Sequence, residues 1–362
     1  MTQPQRKSKA VAVNPVDAIL NKVVAAVNKK FSTDPLSKLD ASSEFAEVKT
    51  FVSFGHFGLN QITGGGSPTG RLIELYGAFS SGKSLLIAHL LAECQKAGGI
   101  AVLDDTEHAY SKHFGELIGI DNDRLLYTCS ESVEAVFDKM ELTIESILKE
   151  NPSQLILYAW DSVAAVSCLA ELNQATSDSG GYNTEKAKAI TKGTRKLVSL
   201  IGKHNVCLVV ANQMKKAIGV MYGPQETTPG GDAIPFWASI RLKLGKGELI
   251  KEGDKEAGEI IGIKCRVTAT KNKIVKPFQK TEVDILFDRG MVYASGCFDA
   301  LVRFGIIEVV MTEEKEGKGG QIQAARASGY YVFQGQRWTK KQLEANFEDH
   351  PEALSKLFSD EA

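Results

Sequence analysis

Residues 71–84 read RLIELYGAFSSGKS, a short apolar run followed by a turn rich in glycine and serine. Positions 77–84 fit the pattern G-x-x-x-x-G-K-[ST]. The apolar run predicts a strand, and the KSLLIAHLLAECQKAG that follows predicts a helix. Because glycines let the backbone wrap tightly, successive N–H groups and the helix N-terminus can face a phosphate. The stretch predicts a phosphate-binding loop; an ordinary glycine- and serine-rich turn is the weaker alternative.

Side chains of this loop, and one carboxylate further along the chain, are predicted to bind ATP and Mg²⁺. Lys83 can reach the β- and γ-phosphates, and the Ser84 hydroxyl can ligate the metal. Asp161 ends the apolar run LILYAW, where ligands bind in parallel sheets, and can hold the metal through water. A helix N-cap is the alternative for Asp161, and both can be true. The set expected at the phosphates is Gly77, Ser80, Ser81, Gly82, Lys83, Ser84 and Asp161.

The composition narrows the class of protein. The chain has 362 residues, 43% of them hydrophobic, and its net charge of −1 gives no sign of a nucleic-acid partner. Its six cysteines include no C-x-x-C pair, so we expect small buried side chains in a reducing compartment. The basic N-terminal stretch has no apolar region behind it, and no run is long enough to span a membrane. We therefore expect an intracellular protein with no membrane partner.

Apolar runs alternate with helical patterns between residues 50 and 290, which predicts an α/β fold. Near-continuous apolar strands predict a mostly parallel, twisted sheet covered by helices on both faces. The runs SIRLKLGKGELI and GIKCRVTATKNKI have no helix between them and are expected to add antiparallel strands. Residues 35–290 form the predicted core. Residues 291–362 form a predicted small α+β domain, with a helix at GCFDALVRFGIIE, a charged loop at MTEEKEGKGGQ, a hairpin at YYVFQGQRW and two short helices after it.

Residues 1–34 are predicted to form a polar tail and one helix. Asn14 and Pro15 suit the N-cap and the first helical position. An apolar stripe follows at helical spacing: Ile19, Leu20, Val23, Val24, Val27 and Phe31. The pattern alone favours burial of this stripe in the chain's own core, with docking on a neighbouring subunit as the alternative.

A base for hydrolysis is expected in DDTEHAY, directly after the strand GIAVL. A carboxylate just past a strand end can reach a water in line with the γ-phosphate. Spacing alone leaves Asp105 as a rival to Glu107, and His108 is expected to be structural.

Asn212 and Gln213 end the apolar run VCLVVANQ, where an amide can bind the γ-phosphate and respond to its loss. The long segment that follows carries Lys215, Lys216 and Tyr222, and then the pair Gly230 and Gly231. A mobile loop joined to such an amide is typical of a switch. The alternative is an excursion with no partner.

The helix predicted at 185–203 has a basic side and an apolar side. The basic side carries Lys188, Lys192, Arg195 and Lys196, and the apolar side carries Ile190, Leu197 and Ile201. Charge runs of this kind are usually solvated faces. Because a second flexible segment, AELNQATSDSGGYN, precedes the helix, a groove for a phosphate backbone is an equal alternative.

Taken together, the motifs resemble those of the RecA-type bacterial recombinases, which form ATP-dependent filaments on single-stranded DNA. The resemblance rests on GRLIELYGAFSSGKS, DTEHAYSKHFGELIGID, DSVAAV, ANQMKKAIGVMYGPQETTPGG and KNKIVKPF. It runs from the N-terminal helix to the final HPEALSKLF. The combination is far more specific than the phosphate-binding loop alone.

The resemblance implies an enzyme, a DNA-stimulated ATPase that promotes homologous pairing and strand exchange in recombination and repair. Its partners would be single- and double-stranded DNA, further copies of the chain in a helical filament, and single-strand-binding and loader proteins, in the cytoplasm at the nucleoid. The N-terminal helix would pack on the neighbouring subunit rather than on its own core. A ring-shaped helicase and a DNA-coating protein that barely turns over ATP are the alternatives.

The resemblance also implies residue roles. Glu107 would orient the attacking water, and Gln213 would sense the γ-phosphate. Residues 173–183 and 214–230 would be two DNA-binding loops. The DNA contacts expected on these loops and on the basic helix are Lys188, Thr191, Arg195, Lys215, Tyr222, Gly230 and Gly231. Lys271 and Lys273, predicted on one face of a strand, would reach the ATP of the adjacent subunit, and Phe236 would lie at that interface.

Several positions depart from the family pattern. Ser111 and Phe114 stand where an acidic and an aromatic residue bind adenine, so the ring is kept and the acidic group is not. Phe79 replaces an acidic residue of the phosphate loop. Pro235 replaces a lysine near the neighbouring nucleotide, so contact across subunits would rest more on Lys271, Lys273 and Arg241.

Overall fold

A computed structural model describes residues 15–31, 36–38, 48, 50–174, 183–216, 226–253, 258–296, 298, 301–302, 305–311, 315–316, 322–323 and 327–349. It divides into two units, residues 1–49 and residues 50–362. The helices are α1 (Pro15–Lys30), α2 (Phe57–Thr63), α3 (Lys83–Lys96), α4 (Lys112–Ile118), α5 (Val133–Glu150), α6 (Leu169–Leu172), α7 (Asn183–Ile201), α8 (Ala233–Trp237) and α9 (Lys340–Asp349). A 3₁₀ turn covers Asn122–Arg124.

The strands, in chain order, are β1 (Phe51–Val52), β2 (Ser67–Pro68), β3 (Arg71–Gly77), β4 (Ile100–Asp105), β5 (Leu126–Thr128), β6 (Ile156–Asp161), β7 (Val206–Gln213), β8 (Lys215–Lys216), β9 (Glu226–Thr227), β10 (Ile240–Glu252), β11 (Glu259–Asn272), β12 (Lys280–Leu286), β13 (Gly290–Met291), β14 (Glu308–Met311), β15 (Lys315–Glu316), β16 (Ile322–Gln323), β17 (Ala327–Phe333) and β18 (Gln336–Thr339).

The N-terminal unit contains α1, which begins at Pro15 as predicted. Asp17 lies in its first turn and Lys29 and Lys30 lie in its last, which suits the helix dipole. The Asn28 side chain donates to Leu36 O and accepts from Leu36 N, and so returns the chain toward the helix. The stripe residues Ile19, Leu20 and Val23 are exposed, and nothing else described in this unit forms an apolar layer over them.

The second unit is built on a nine-stranded sheet in the order β13-β12-β11-β10-β3-β7-β6-β4-β5. Strands β10, β3, β7, β6, β4 and β5 are parallel neighbours, and β11, β12 and β13 run antiparallel. The mostly parallel sheet is therefore confirmed. The expectation that SIRLKLGKGELI and GIKCRVTATKNKI add antiparallel strands is confirmed for their pairing with each other, as β10 and β11. On its other edge β10 pairs in parallel with β3, so the direction reverses only at β11.

Helices cover both faces of this sheet, as the apolar strands predicted. On one face α3 packs on the sheet, with Leu86 and Leu90 against Ile73 and Leu75 of β3. On the other face α5 and α7 form a second apolar layer that includes Leu72 of the same strand. Because side chains alternate along a strand, Glu74 points to the face of Leu72.

The cysteine prediction agrees with the described residues: Cys94, Cys168, Cys207 and Cys265 are buried and free, while Cys129 is half-buried. In the described part of the chain no helix is long and apolar enough to cross a membrane.

Beyond residue 291 a small sheet has the order β14-β17-β18. The hairpin predicted at YYVFQGQRW is β17 and β18, and its turn residues Gln334 and Gly335 both have positive φ, 50° and 75°, as a tight hairpin turn requires. Two expectations need correction, and one is tested only in part. The run GCFDALVRFGIIE is not helical to its end, because Glu308 begins β14. The charged loop contains β15, which pairs with β16. Of the two final helices only α9 lies in the described residues.

Candidate nucleotide and DNA site

The predicted phosphate loop joins β3 to α3 and depends on glycine at both ends. A Cβ atom on Gly77 would lie 2.2 Å from Leu244 O, so no larger residue fits. Gly82 has φ of 92°, and Ser80 has φ of 54°. The left-handed residues turn the backbone directly before α3, so the loop meets the first turn of a helix, where unpaired N–H groups attract anions.

Lys83 is folded into this loop. Its Nζ donates to Ala78 O at 2.9 Å and to Gly77 O at 3.4 Å, and the residue is 8% exposed. Burial lowers the pKa of the ammonium, while Asp161 and Glu107 act in the opposite direction. The loop therefore holds a positive charge within its own turn.

Asp161 ends β6 beside Asp105 of β4, its partner in the register. It is buried, and its Oδ1, like Ser81 Oγ in the loop, has no hydrogen-bond partner among the described residues. Burial raises the pKa of Asp161 to about 6, against the effect of the Ser84 hydroxyl and the Lys83 ammonium. No helix starts directly after Asp161, since the next one begins at Leu169, so the N-cap alternative is wrong. An unpaired carboxylate oxygen beside a hydroxyl is a donor set that suits Mg²⁺.

The carboxylates at the end of β4 and just after it have different surroundings. Asp104 accepts from Ser130, and Asp105 Oδ2 accepts from Tyr110 N at 2.8 Å and from the Tyr127 hydroxyl at 3.1 Å; both are buried. Glu107 is exposed, and its Oε1 accepts from Ser162 Oγ at 2.5 Å and from Gln213 Nε2 at 3.3 Å. Glu107 is therefore the carboxylate that a water molecule can reach. His108, with φ of 54°, shapes the turn.

Asn212 and Gln213 both lie at the end of β7 but make different contacts. Asn212 is fully buried, and its Nδ2 donates to Glu74 Oε1 and to Pro229 O. Its amide is already bonded, so Gln213 alone remains for the predicted sensing of phosphate. The contact of Gln213 with Glu107 brings the predicted sensor and the predicted base together.

Ser111 and Phe114 line one cavity with Ser84 and Asp161, whose apolar wall includes Leu91. The Ser111 hydroxyl caps α4 by accepting from Phe114 N at 3.3 Å, and the Phe114 ring packs against the core. The positions that the resemblance assigns to adenine are thus next to those assigned to phosphate and metal.

A separate group lies where β10 begins and β11 ends. Lys271 Nζ donates to Pro235 O and Phe236 O, each at 2.8 Å, and burial, Lys273 and Arg241 lower its pKa. Phe236 is 67% exposed. Since β11 ends at Asn272, the expectation that Lys271 and Lys273 share one strand is wrong. Within the described residues, the side-chain hydrogen bonds of this group do not reach the 77–84 turn of the same chain.

Three of the four predicted basic residues of α7, namely Lys188, Lys192 and Arg195, line a groove together with Thr191. Lys196 instead pairs with Glu141 of α5 at 2.5 Å. The predicted apolar side of α7 is buried. Lys188 has a partner one turn away, Glu185 at 2.8 Å, and that exposed pair is open to competition by phosphate.

The second predicted DNA loop returns beside this groove. Gly230 and Gly231 have φ of 97° and 73°, and a Cβ atom on Gly230 would lie 2.6 Å from Ile190 Cδ1 of α7. The base of the loop is a short β-ladder, because β8 pairs with β9. Tyr222, with the rest of 217–225, and residues 175–182 of the first loop lie outside the described residues.

Comparison with known proteins identifies the family to which the chain belongs. The family model "RecA N-terminal domain" matches residues 18–292, about three quarters of the chain. The chain belongs to the RecA family. Protein RecA of Chlorobium limicola is 36% identical over 306 residues, which cover 83% of this chain and 84% of the relative. Protein RecA of Chlorobaculum tepidum is 37% identical over 80% of both chains, and that of Leptospira meyeri is 33% identical over 94% of this chain and 80% of its own.

Membership in the RecA family confirms the resemblance seen in the motifs, and with it a recombinase function in recombination and repair. Sequence reasoning missed two parts of the site. Ser162, the hydrogen-bond donor to Glu107, follows Asp161 directly, but nothing in its pattern indicates the contact. Glu74 did leave a signal, since it is a lone carboxylate inside the apolar strand LIELY.

Proposed function

We propose that this RecA-family protein is an ATPase that depends on DNA and assembles as a helical filament on single-stranded DNA, where it promotes homologous pairing and strand exchange. The observation that carries the proposal is the hydrogen bond between Gln213 Nε2 and Glu107 Oε1. Gln213 ends β7, and Lys215 begins the ladder at the base of the second loop. One contact therefore joins the candidate general base, Glu107, to the point where a candidate DNA-binding segment leaves β7, which we call the root of the second loop.

In this proposal the phosphates of ATP lie along residues 77–84, with the Lys83 ammonium transferred from its two backbone carbonyls to phosphate oxygens. The adenine lies against Phe114, beside Ser111. Ser84 and Asp161 hold Mg²⁺, which neutralises charge on the phosphates when it is bound. The unpaired Asp161 Oδ1 and Ser81 Oγ support this arrangement, because buried polar atoms without partners are rare unless a ligand completes them.

Glu107 orients a water molecule whose oxygen attacks the γ-phosphorus, while the bond from that phosphorus to the β,γ-bridging oxygen breaks. The products are ADP and inorganic phosphate, and the proton of the water leaves through the carboxylate. Gln213 leaves Glu107 to bind the γ-phosphate and returns when phosphate is lost. That exchange of partners would move the root of the second loop.

DNA lies along α7 with its phosphates on Lys188, Lys192 and Arg195, and the two loops close over it. Recognition through phosphates gives affinity without sequence preference. ATP bound at one subunit is contacted by Lys271, Lys273 and Phe236 of the next. The exposure of Phe236 supports this role, because an exposed aromatic ring is typical of an interface.

The test measures ATP turnover with and without single-stranded DNA, together with negative-stain images of the same samples. We expect stimulation by DNA and helical filaments that require ATP. Rings in place of filaments would support the helicase alternative. Filaments with no turnover would support a DNA-coating protein.

A further inference from the structure

Glu74 is a buried carboxylate that the proposed reaction does not use. It lies on β3, three residues before the phosphate loop, and has no exposed surface. Its Oε2 accepts from Arg241 Nε at 2.5 Å, and its Oε1 accepts from Asn212 Nδ2 at 3.1 Å. An apolar pair of similar size is often at least as stable as a buried ion pair, so stability alone gives a weak reason for this one.

On one side, the carboxylate holds the root of the second loop through Asn212. Asn212 Nδ2 also donates to Pro229 O at 3.1 Å, and Asn212 Oδ1 accepts from Gln213 N at 3.0 Å. One carboxamide therefore fixes both the residue before Gly230 and the backbone of the candidate sensor. The position of this carboxamide is set by Glu74 from the neighbouring strand.

On the other side, Glu74 holds Arg241, the register partner of Lys271 on β11. The Arg241 guanidinium lies 4.5 Å from the centre of the Tyr76 ring, and the Tyr76 hydroxyl bonds Thr270 Oγ1 at 3.0 Å. Arg241 is thus held within its own chain by Glu74 and Tyr76, and its role at a neighbouring nucleotide stays a prediction. The ammonium of Lys271 reaches the backbone of α8 beside it.

We infer that Glu74 is a positioning residue that couples the edge formed by Arg241, Lys271 and Phe236 to the root of the second loop at Asn212 and Pro229. A shift of that edge moves Arg241, and the two oxygens of one rigid carboxylate pass the displacement to Asn212. The inference rests on the proposed function, in which the edge meets the ATP of the adjacent subunit and the loop binds DNA. It adds a route between the two that does not pass through Glu107.

The test is Glu74→Gln in the full-length protein. Glutamine keeps the shape but has one acceptor oxygen for two donors, so either Arg241 Nε or Asn212 Nδ2 loses its partner. Affinity for a labelled oligothymidylate is measured by fluorescence anisotropy, once with a slowly hydrolysed ATP analogue and once with ADP. Glu282→Gln is the matched control, because it removes an exposed carboxylate that accepts from Arg266 Nε at 3.0 Å.

The ratio compared is DNA affinity with the ATP analogue divided by DNA affinity with ADP. We expect this ratio to be the same in wild type and Glu282→Gln. In Glu74→Gln we expect it to be about tenfold lower, which is a typical coupling between sites. Binding of a fluorescent ATP analogue should stay at the wild-type level. An unchanged ratio in Glu74→Gln, or equal loss of ATP binding and DNA binding, would overturn the inference. If Glu74→Gln does not fold, Asn212→Ala removes the contact between Glu74 and Asn212 and leaves the Glu74–Arg241 pair intact. We expect the same decrease in the ratio of DNA affinities.

The two failures are distinguishable. A wild-type protein whose DNA affinity is the same with both nucleotides contradicts the proposed function itself. A wild-type protein that responds to nucleotide, with a Glu74→Gln variant that responds equally, contradicts only the role of Glu74.

Discussion

Ser162 Oγ donates a hydrogen bond of 2.5 Å to Glu107 Oε1 and ties this carboxylate to the residue after Asp161. Backbone hydrogen bonds connect the same two segments, because Thr106 N and Glu107 N both donate to Asp161 O, at 2.8 and 3.3 Å. The turn after β4 is therefore fixed to the end of β6. The carboxylate proposed to orient water and the one proposed to hold Mg²⁺ keep a constant relation to each other.

Glu107→Gln should abolish turnover and leave ATP binding intact. Glutamine can still accept from Ser162, but it cannot take a proton from water, and a general base typically contributes about 10²–10⁴-fold in rate. Phosphate release with saturating single-stranded DNA measures turnover, and a fluorescent ATP analogue measures binding. Asp105→Asn is the comparison, since its oxygen can still accept from Tyr110 N. Turnover lost in Asp105→Asn and kept in Glu107→Gln would reverse the assignment of the base.

Lys83→Ala should weaken ATP binding by at least about tenfold, because a charge-assisted hydrogen bond to phosphate is lost. ATP-dependent filaments should disappear with it. Binding is measured by titration of a fluorescent nucleotide and filaments by electron microscopy. Lys149→Ala, which removes an exposed lysine in the last turn of α5, should change neither. Persistence of ATP-dependent filaments in Lys83→Ala would contradict the role of this loop.

Gly230→Ala should weaken DNA binding and lower stability more than Gly98→Ala does. Both glycines have positive φ, 97° and 76°, so both variants carry the cost of a left-handed alanine, roughly 1 kcal/mol. Only at Gly230 does the new Cβ atom meet a neighbour, Ile190 Cδ1 at 2.6 Å, whereas nothing lies within 4 Å at Gly98. Such crowding typically adds about 1–3 kcal/mol.

Chemical denaturation measures the stability of both variants, and anisotropy with labelled single-stranded DNA measures binding. Equal destabilisation by the two variants would show that the segment at Gly230 moves freely away from α7. DNA binding that is unaffected in Gly230→Ala would remove this glycine from the candidate interface.

Sequence patterns predicted those elements whose structure depends on consecutive residues. The bounds of β3 and β7 match the predicted runs, because each is a continuous apolar run that ends at turn-forming or polar residues. The phosphate loop could also be predicted from the sequence, since its backbone requirements fall within eight consecutive residues.

Features set by long-range pairing were not predicted. The direction of β10 depends on its pairing with β3, and no residue in the strand itself encodes that choice. Glu74 and Arg241 are 167 positions apart, so their contact exists only in the folded sheet. Asn212 illustrates the limit within the site: the sequence marks it as an amide at a strand end, but only the neighbouring strand shows that the amide is already bonded.

Two buried histidines are expected to make the protein less stable in acid. His89 Nε2 accepts from Met291 N at 3.0 Å, and His56 Nδ1 accepts from Leu59 N at 3.1 Å, so both rings must stay neutral at these atoms. Burial, with Lys96 as a smaller cause, lowers the pKa of His89 to about 4, and burial lowers that of His56 to about 3. The unfolded chain takes up these protons below about pH 6.5, whereas the folded protein takes them up only near pH 3–4.

Stability should therefore fall as the pH drops from about 6.5 toward 4, by on the order of 3 kcal/mol for His89 alone. His89→Gln places an amide oxygen where Nε2 accepts from Met291 N and removes the titrating group, so its loss of stability over this range should be smaller than that of wild type. Urea denaturation at pH 7 and at pH 4.5 gives both values. His113→Gln, a change at an exposed histidine of α4, should follow wild type. Equal pH dependence in wild type and His89→Gln would show that protonation of His89 does not drive the acid response.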